Sequence, residues 1–272
     1  MINNEFNESV IVGKTIKNIE CKIKKFDKMK FYDTNFEKVD FSESIFKDTL
    51  FEKIKAKEVN FKKCKIESEQ MDCIGEFKGC NFNDTEIKYI KFEEGIFLEN
   101  NFVNFKFEYG TFNSCKFIDN DMSNVEFQQS GIWGDVVVNN KFVNAKLKGA
   151  GFDYLQIENN DFSGAIMEGY GWSKCVCKED VFKNTIISNG YIYRSDYSYC
   201  NFENAKITET SFIQCEIIDS NFTDAEIIDT KFKKCMIKNI DFTNLKYENI
   251  TFEDCKFENV IFTEQQKKDF GL

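Results

Sequence analysis

Every fifth residue of this chain is apolar over most of its length. From Phe77 to Phe262 the rule holds for thirty-eight successive positions, and from Phe6 to Met71 it holds for fourteen. Hydrophobic residues make up 42% of the sequence, so chance cannot produce such a run. The beat of five therefore indicates a repeat architecture, in which one short unit recurs along the chain and stacks on its neighbours.

A slower repeat of twenty residues lies over the beat of five. The phrase at Asn201–Ala205 returns at 221–225 and 241–245, and it occurs earlier at 81–85 and 161–165. The position two residues before each apolar centre is usually small, most often Ala, Cys, Gly, Ser or Thr. One structural period therefore contains four pentads, each with a small residue followed by a large apolar one.

This pattern resembles the pentapeptide repeat family, whose consensus is a small residue, a polar one, Leu or Phe, and two polar ones. The resemblance covers nearly the whole chain. It implies a bacterial protein with an all-β fold, a right-handed quadrilateral parallel β-helix in which each pentad forms one side of a square turn. If one coil is a turn of twenty residues, the pentads predict a solenoid of about 13 coils. The resemblance implies a fold but no particular catalytic or binding activity.

We predict three segments along the chain. Residues 1–25 should be an irregular or capping segment, because Lys14 and Lys24 fall on inward positions, where an unpaired charge is costly. Residues 26–262 should form the β-helix. The step from Met71 to Phe77 is six residues, so one residue is inserted near 72–74, as a bulge or as a hinge.

The last segment, residues 263–272, should be a short helical cap on the coil. Thr263 can serve as the N-cap residue, and Gln266 can complete a capping box. Phe270 and Leu272 should either close the core or dock on a second chain. In pentapeptide repeat relatives the C-terminal coils often pair two solenoids, so the resemblance also implies a homodimer through this end.

Composition limits the classes of function. The chain has no His, which removes the commonest general base and the commonest zinc ligand. Its net charge is −10, although residues 1–70 hold fifteen Lys and thirteen acids, a balance of +2. The acidic remainder argues against nucleic acid and anionic membranes as partners. No secretory signal or membrane span is visible, so we expect a soluble cytoplasmic protein.

Eleven cysteines raise the question of disulfides or metal. No C-x-x-C pair occurs, and a free cysteine is a good small hydrophobic residue. Ten of the eleven follow the beat of five, and only Cys73 lies outside it. We therefore expect free thiols in the core and no metal or cofactor. Eight cysteines should occupy the small inward position: Cys64, Cys80, Cys115, Cys175, Cys200, Cys215, Cys235 and Cys255.

A polar column interrupts the small inward positions. It consists of residues twenty apart: Asn100, Asn120, Asn140, Asn160 and Asp180. Stacked amides at this repeat can hydrogen-bond along the axis of the coil. We interpret the column as structural, with Asp180 at its end as an acceptor for Asn160.

The candidate partner-binding residues surround a column of glycines. Gly131, Gly151 and Gly171 are twenty residues apart and share one outward column. Around them the outward positions hold aromatic residues and the single arginine of the chain: Trp133, Tyr154, Tyr191, Tyr193 and Arg194. Aromatic residues and Arg are enriched at protein interfaces. The alternative is that the rings only cover exposed glycine backbone.

No catalytic motif is visible, so we predict a non-enzymatic scaffold that binds a protein partner of unknown identity. The alternative, implied by a more distant resemblance to quinolone-resistance pentapeptide proteins, is an acidic DNA mimic. Such a mimic would bind DNA gyrase or topoisomerase IV and give protection against quinolones. The acid-rich segment from Glu203 to Asp229 fits that alternative. An unrecognised acid pair near Gly169–Trp172 would be needed for an enzyme.

Overall fold

The structure is a computed structural model that describes Phe6, residues 8–169 and residues 171–272, with the backbone alone for residues 69–72. The chain divides into two compact units, Met1–Val136 and Val137–Leu272. Each unit is a parallel β-solenoid, and together they contain about 12 turns and one short C-terminal helix. The predicted all-β β-helix with a helical cap is confirmed. The number of turns is slightly below the predicted 13.

The first unit consists of short strands joined by tight corners. Its strands are β1 Val10–Val12, β2 Thr15–Lys17, β3 Lys25–Asp27, β4 Lys30–Tyr32, β5 Asn35–Glu37, β6 Ile45–Lys47, β7 Leu50–Lys57, β8 Lys65–Lys78, β9 Glu86–Glu93, β10 Ile96–Leu98, β11 Lys106–Glu108, β12 Thr111–Asn113, β13 Lys116–Ile118, β14 Glu126–Gln128 and β15 Gly131–Trp133. Strand β16, Val136–Val138, spans the boundary between the units.

The second unit continues the same pattern and ends in the helix. Its strands are β17 Lys146–Lys148, β18 Gly151–Asp153, β19 Gln156–Glu158, β20 Ile166–Glu168, β21 Gly171–Ser173, β22 Val176–Lys178, β23 Ile186–Ser188, β24 Tyr191–Tyr193, β25 Asp196–Ser198, β26 Lys206–Thr208, β27 Ser211–Ile213, β28 Glu216–Ile218, β29 Glu226–Ile228, β30 Lys231–Lys233, β31 Met236–Asp241, β32 Lys246–Glu248, β33 Thr251–Glu253 and β34 Lys256–Ile261. The helix α1 covers Glu264–Phe270.

Strands pair in parallel with the strand one coil away. In β10 and β13, Phe97 pairs with Phe117, and in β24 and β27, Ile192 pairs with Phe212. Both pairs are twenty residues apart, as the repeat of twenty requires. In the three-residue strands before β32, the central residue is buried and its two neighbours point outward, because side chains alternate across a strand. The central residues of β32 and β33 are only half-buried. The beat of five is thus the spacing of inward-pointing centres.

Most corners contain a residue with left-handed backbone. This residue lies two after the apolar centre, as at Asp84, Asn204 and Asp224, whose φ angles are 58°, 55° and 55°. Asn, Asp and Gly tolerate this conformation best. The backbone N–H of Asn204 donates to the carbonyl of Thr223 in the next coil at 3.0 Å. Hydrogen bonds between coils therefore fix the corners as well as the strands.

The core of each unit is a set of stacked side chains. Phe82 lies over Phe102 in the first unit, with ring centroids 4.7 Å apart, and Phe182 lies over Phe202 in the second at 4.8 Å. The polar column is also present. Asn100 accepts a hydrogen bond from the backbone of Cys80 at 2.8 Å, so the amide satisfies a buried backbone donor.

The insertion near residues 72–74 lies in an irregular part of strand β8. Register between β8 and β9 shifts between Glu67 and Met71, so two neighbouring strands differ in length there, as in a bulge. The displaced register brings Cys73 opposite Phe92 and buries it. Cys73 was predicted to lie outside the pattern, and that expectation was wrong, because the shift moves it to a central position. Met71 was predicted to be an apolar centre, and its side chain lies outside the part of the chain whose side chains the structure describes.

The N-terminal segment departs from the irregular structure expected for residues 1–25. Strands β1 and β2 lie within it and pair with β4 and β5. The argument from Lys14 and Lys24 fails because both side chains are exposed. Lys14 forms an ion pair with Glu8 at 3.6 Å. Lysine at these positions therefore does not prevent coil formation.

Candidate functional site

The second unit brings together four of the five predicted binding residues. Tyr191 and Tyr193 flank the buried centre of β24, and their rings are stacked with centroids 6.2 Å apart. Arg194 follows at the next corner, with its guanidinium carbon 5.0 Å from the centroid of the Tyr193 ring. Tyr191 and Tyr154 are 51% and 61% exposed. A cationic group and aromatic rings thus lie together on the surface of this unit.

Tyr154, Lys174 and Arg194 occupy successive corners of one column, twenty residues apart. Their φ angles are 60°, 55° and 50°, so all three have the left-handed corner conformation. The backbone N–H groups of Tyr154 and Lys174 donate to Ser173 and Tyr193 at 2.9 and 2.8 Å. Because hydrogen bonds between coils hold these corners, their side chains project from a fixed backbone.

Lys174 is a member of this cluster that the sequence analysis did not select. Its Nζ donates to the hydroxyl of Tyr154 at 2.5 Å and lies 4.3 Å from the centre of that ring. Arg194 donates from Nε to Oε1 of Gln214 at 3.0 Å. Contacts of cations with aromatic faces are favourable and restrain long side chains. We name Tyr154, Lys174, Tyr191, Tyr193 and Arg194 the aromatic–cationic cluster.

The two cations of the cluster differ from most lysines on the strands. Lys183 and Lys206 pair with Glu203 and Glu226 one coil away, at 2.9 and 3.2 Å. Among the residues that the structure describes, Lys174 and Arg194 make no ion pair with a carboxylate. Lys174 still acts on the half-buried carboxylate of Asp153, where its charge opposes the rise in pKa that burial causes.

Glycine leaves the backbone bare beside the cluster. Gly171 is half-buried on β21 and pairs with Tyr191 on β24. A Cβ added to Gly171 would meet nothing closer than the carbonyl oxygen of Tyr191 at 3.9 Å, so internal packing does not require glycine there. Gly169 has a φ of 61°, and glycine suits that corner. Both glycines widen the open surface beside Tyr191.

Trp133 belongs to the first unit. It ends strand β15, and its side chain is 42% exposed. A second aromatic pair of the first unit, Tyr89 and Tyr109, was missed by the sequence analysis. Their rings stack with centroids 5.3 Å apart on two corners of one column. The signal that could have found them is their spacing of twenty residues at the corner position.

The C-terminal residues have different environments. Phe270 packs edge-on against Tyr247, Phe252 and Phe262, with centroids 4.9 to 5.8 Å apart, so it covers the end of the core. Leu272 is 51% exposed. The predicted capping box is confirmed, because Thr263 and Gln266 exchange hydrogen bonds of 2.8 and 3.1 Å.

Nothing among the described residues resembles a catalytic or metal centre. No group of three or more metal-ligating side chains occurs there. A void of about 10 Å³ beside Trp172 is lined only by apolar and aromatic residues. A surface cleft of about 350 Å³ next to the irregular part of β8 contains Lys65, Glu67, Glu86 and Lys88. Lys65 and Glu86 pair at 3.7 Å, which is ordinary for surface charges. Tyr170, within the segment named for an acid pair, lies outside the described residues.

Within the parts of the chain that are described, no helix has the length and hydrophobicity needed to cross a bilayer.

Comparisons with known proteins agree with the repeat. The model of the pentapeptide repeat region matches residues 195–270. The resemblance inferred from the residues is confirmed by this match. No curated protein matches the chain. Solved structures of pentapeptide repeat proteins also match the chain.

Two of these structures show the range of similarity. QnrB1, a plasmid-mediated fluoroquinolone resistance protein, is 18% identical, with 63% of this chain and 91% of QnrB1 covered and a TM-score of 0.31. HetL of the cyanobacterium Nostoc sp. strain PCC 7120, involved in heterocyst differentiation regulation, is 9% identical, with 95% and 93% covered and a TM-score of 0.29. At these values the likeness gives no argument for a shared partner.

Proposed function

We propose that this protein is a non-enzymatic scaffold that binds a protein partner through the aromatic–cationic cluster of its second unit. The observation that carries the proposal is the pair Lys174 and Arg194. Each is held against an aromatic ring, and neither forms an ion pair within the part of the chain that the structure describes, although Lys174 acts at longer range on Asp153. Anchors of this kind, with bare backbone beside them, are typical of interface centres.

The chemistry of the cluster favours a partner with a carboxylate at the contact. Arg binds carboxylates with two parallel hydrogen bonds, and a nearby Lys adds a second positive charge. The exposed rings of Tyr154 and Tyr191 offer apolar area with little loss of side-chain freedom on binding. Binding should weaken as ionic strength rises, since exposed charges are screened within about 10 Å at 0.1 M salt.

The alternative of a DNA mimic ranks second because of where the acids lie. In the segment from Glu203 to Asp229, Glu203 and Glu226 are neutralised by lysines one coil away. Glu216 lies on strand β28, and Asp224 lies at a corner after a different side of the coil. These acids are distributed around the coil rather than gathered on one side, which favours the scaffold over the mimic.

We also propose that two copies associate through the C-terminal end. Phe252, Phe257 and Phe262 are only half-buried in the last coil, while Ile261 and Leu272 are exposed. Apolar side chains at the end of a solenoid are commonly covered by a cap or by another chain. Light scattering of the wild type and of Ile261→Asp combined with Leu272→Asp tests this. A monomeric wild type would refute self-association.

The main proposal is tested by crosslinking and pull-down from cells with a triple variant, Tyr191→Ala, Tyr193→Ala and Arg194→Ala. The matched control is Tyr199→Ala with Lys206→Ala, which also removes an exposed ring and a cation, away from the cluster. The partner should be retained by the wild type and the control and lost by the triple variant. Equal recovery by all three proteins would rule the cluster out.

The alternative is tested by DNA gyrase supercoiling assays, with and without a quinolone. Inhibition or drug protection that survives in the triple variant would support DNA mimicry and shift attention to the acids. No effect on gyrase at micromolar concentrations would leave the scaffold proposal in place.

A further inference from the structure

Asp180 is a buried carboxyl group in a column otherwise built from amides. In the second unit the column is Asn140, Asn160 and Asp180, and Asp180 has a solvent exposure of 0%. Its Oδ1 accepts from both the backbone N–H and the side-chain amide of Asn160, at 2.8 and 2.9 Å. Oδ1 therefore has the same role that Asn160 Oδ1 has toward Asn140, where the distances are 2.8 and 3.1 Å.

The second oxygen of Asp180 occupies the place of a donor. In Asn160 the corresponding atom is the amide Nδ2, which donates to the carbonyl oxygens of Val137 at 2.8 Å and Glu158 at 3.1 Å. Asn100 and Asn120 of the first unit make the equivalent bonds to Phe77 and Phe97. The side-chain amides of Asn100, Asn120 and Asn160 thus all donate an N–H to backbone carbonyls.

Asp180 Oδ2 has no hydrogen-bond partner as an ionised oxygen, although it is fully buried. By the repeat of twenty, the positions equivalent to the two acceptors of Asn160 are the carbonyls of Ile157 and Lys178. A carboxylate oxygen facing carbonyl oxygens is repelled, whereas a protonated oxygen can donate to them. Leaving a buried charge uncompensated is also far more costly than leaving it protonated.

We propose that Asp180 is a neutral carboxylic acid in the folded protein and that its Oδ2–H donates to the backbone as the amides of the column do. Loss of this proton at higher pH destabilises the second unit, so Asp180 makes the stability of that unit depend on pH. The charged and titratable neighbours agree with a neutral group. Glu158 on β19 adds negative charge, and the thiols of Cys177 and Cys200 supply no cation. Lys178 directs its ammonium group to Glu158 at 3.3 Å.

The electrostatic environment of Asp180 also favours its protonated form. Burial raises the pKa of Asp180 to about 7, against the opposing effect of the hydrogen bonds from Asn160. An unfolded aspartate has a pKa near 3.9. Between these values the folded protein holds a proton that the unfolded chain releases. Stability from this group is therefore complete below pH 4, falls as the pH rises toward 7, and is constant above it.

Two measurements test this pH dependence. In urea unfolding between pH 4 and 9, the unfolding constant of the wild type relative to Asp180→Asn should rise roughly tenfold per pH unit from about pH 4 to 7. Above pH 7 the ratio should stay constant, with the amide variant the more stable protein. The control is Asp161→Asn, which changes a half-buried carboxylate on the outer side of the coil that carries Asn160. The unfolding constant of the wild type relative to this control should not rise between pH 4 and 7.

Carbon-13 NMR of aspartate-labelled protein gives the second measurement without any change in the core. One carboxyl resonance, absent from Asp180→Asn, should titrate with a midpoint near pH 7. A midpoint below pH 5 for that resonance would overturn the proposal. So would a ratio of unfolding constants that does not change between pH 4 and 7.

Discussion

A Cβ atom added to Gly110 would lie 2.4 Å from the carbonyl oxygen of Ile90, the residue one coil before it. Both residues occupy the inward position two before an apolar centre. The same Cβ would also lie 2.4 Å from the ring of Phe107. The backbone of the preceding coil and this ring therefore leave no room for a side chain at position 110, as close packing of a core requires.

Gly110→Ala should destabilise the protein by about 1–3 kcal/mol, since the new methyl group collides with backbone and with the Phe107 ring. Gly171→Ala is the matched control. It has open space and should be neutral or stabilising by up to about 1 kcal/mol, because alanine restricts the unfolded chain. Urea unfolding measures both. Equal effects at the two sites would contradict the packing argument.

Gln266→Ala should destabilise the C-terminal cap by about 1–2 kcal/mol. The side chain is buried, completes the capping box with Thr263 and donates to the carbonyl of Phe242 at 2.7 Å. Its neighbour Gln265 is exposed and bonds only to Asp269 among the described contacts. Gln265→Ala should therefore have a much smaller effect. Thermal unfolding and limited proteolysis of the last coil distinguish the two variants.

Acid should weaken the last coils through Glu253. This carboxylate pairs with Lys231 and Lys233, and hydrogen bonds from these lysines lower the pKa of Glu253 to about 2. A lowered pKa in the folded state means that the contribution is present above about pH 4.3 and is lost as the pH falls toward 2. Glu253→Gln should make the loss of stability over that range shallower. An unchanged acid profile would show that the pair contributes nothing.

Cysteine reactivity should separate one thiol from the other ten. All eleven cysteines are free, and only Cys255 is partly exposed. Burial raises the pKa of Cys115 and Cys175 to about 12, so their thiolate fraction is negligible at neutral pH. The hydrogen bond with Cys235 and burial raise the pKa of Cys255 as well, so its labelling should be slower than that of an unfolded thiol. Ellman's reagent should label at most one thiol measurably in the folded protein and eleven after unfolding. Cys255→Ser should abolish the labelling of the folded protein, and labelling of several thiols would refute the buried assignment.

The periodic part of the fold could be predicted from the sequence because every pentad places one apolar residue in the core. Phe82 and Phe202 are buried where the beat of five places them, and Asp180 accepts from Asn160 as the column predicted. The cap could also be predicted, since Thr263 and Gln266 interact within one helical turn. Local chemistry and a strict period are sufficient for these features.

The remaining features depend on geometry that the period does not contain. One extra residue before Phe77 indicates an irregularity but not where the strands realign, so the burial of Cys73 could not be predicted. The cation–ring contact of Lys174 with Tyr154 requires knowledge that both project from one corner column. Pairs such as Lys206 with Glu226 had a readable signal, opposite charges twenty residues apart, that the sequence analysis did not use.

The register of twenty has an evolutionary consequence. Within a unit, each strand finds its hydrogen-bond partners twenty residues away, so a duplication or deletion of one whole coil restores every pair on both sides of the change. A change of another length has to be absorbed by an irregular strand, as the shifted register in β8 shows. Gain or loss of whole coils is therefore the kind of length change that this architecture tolerates without local rearrangement.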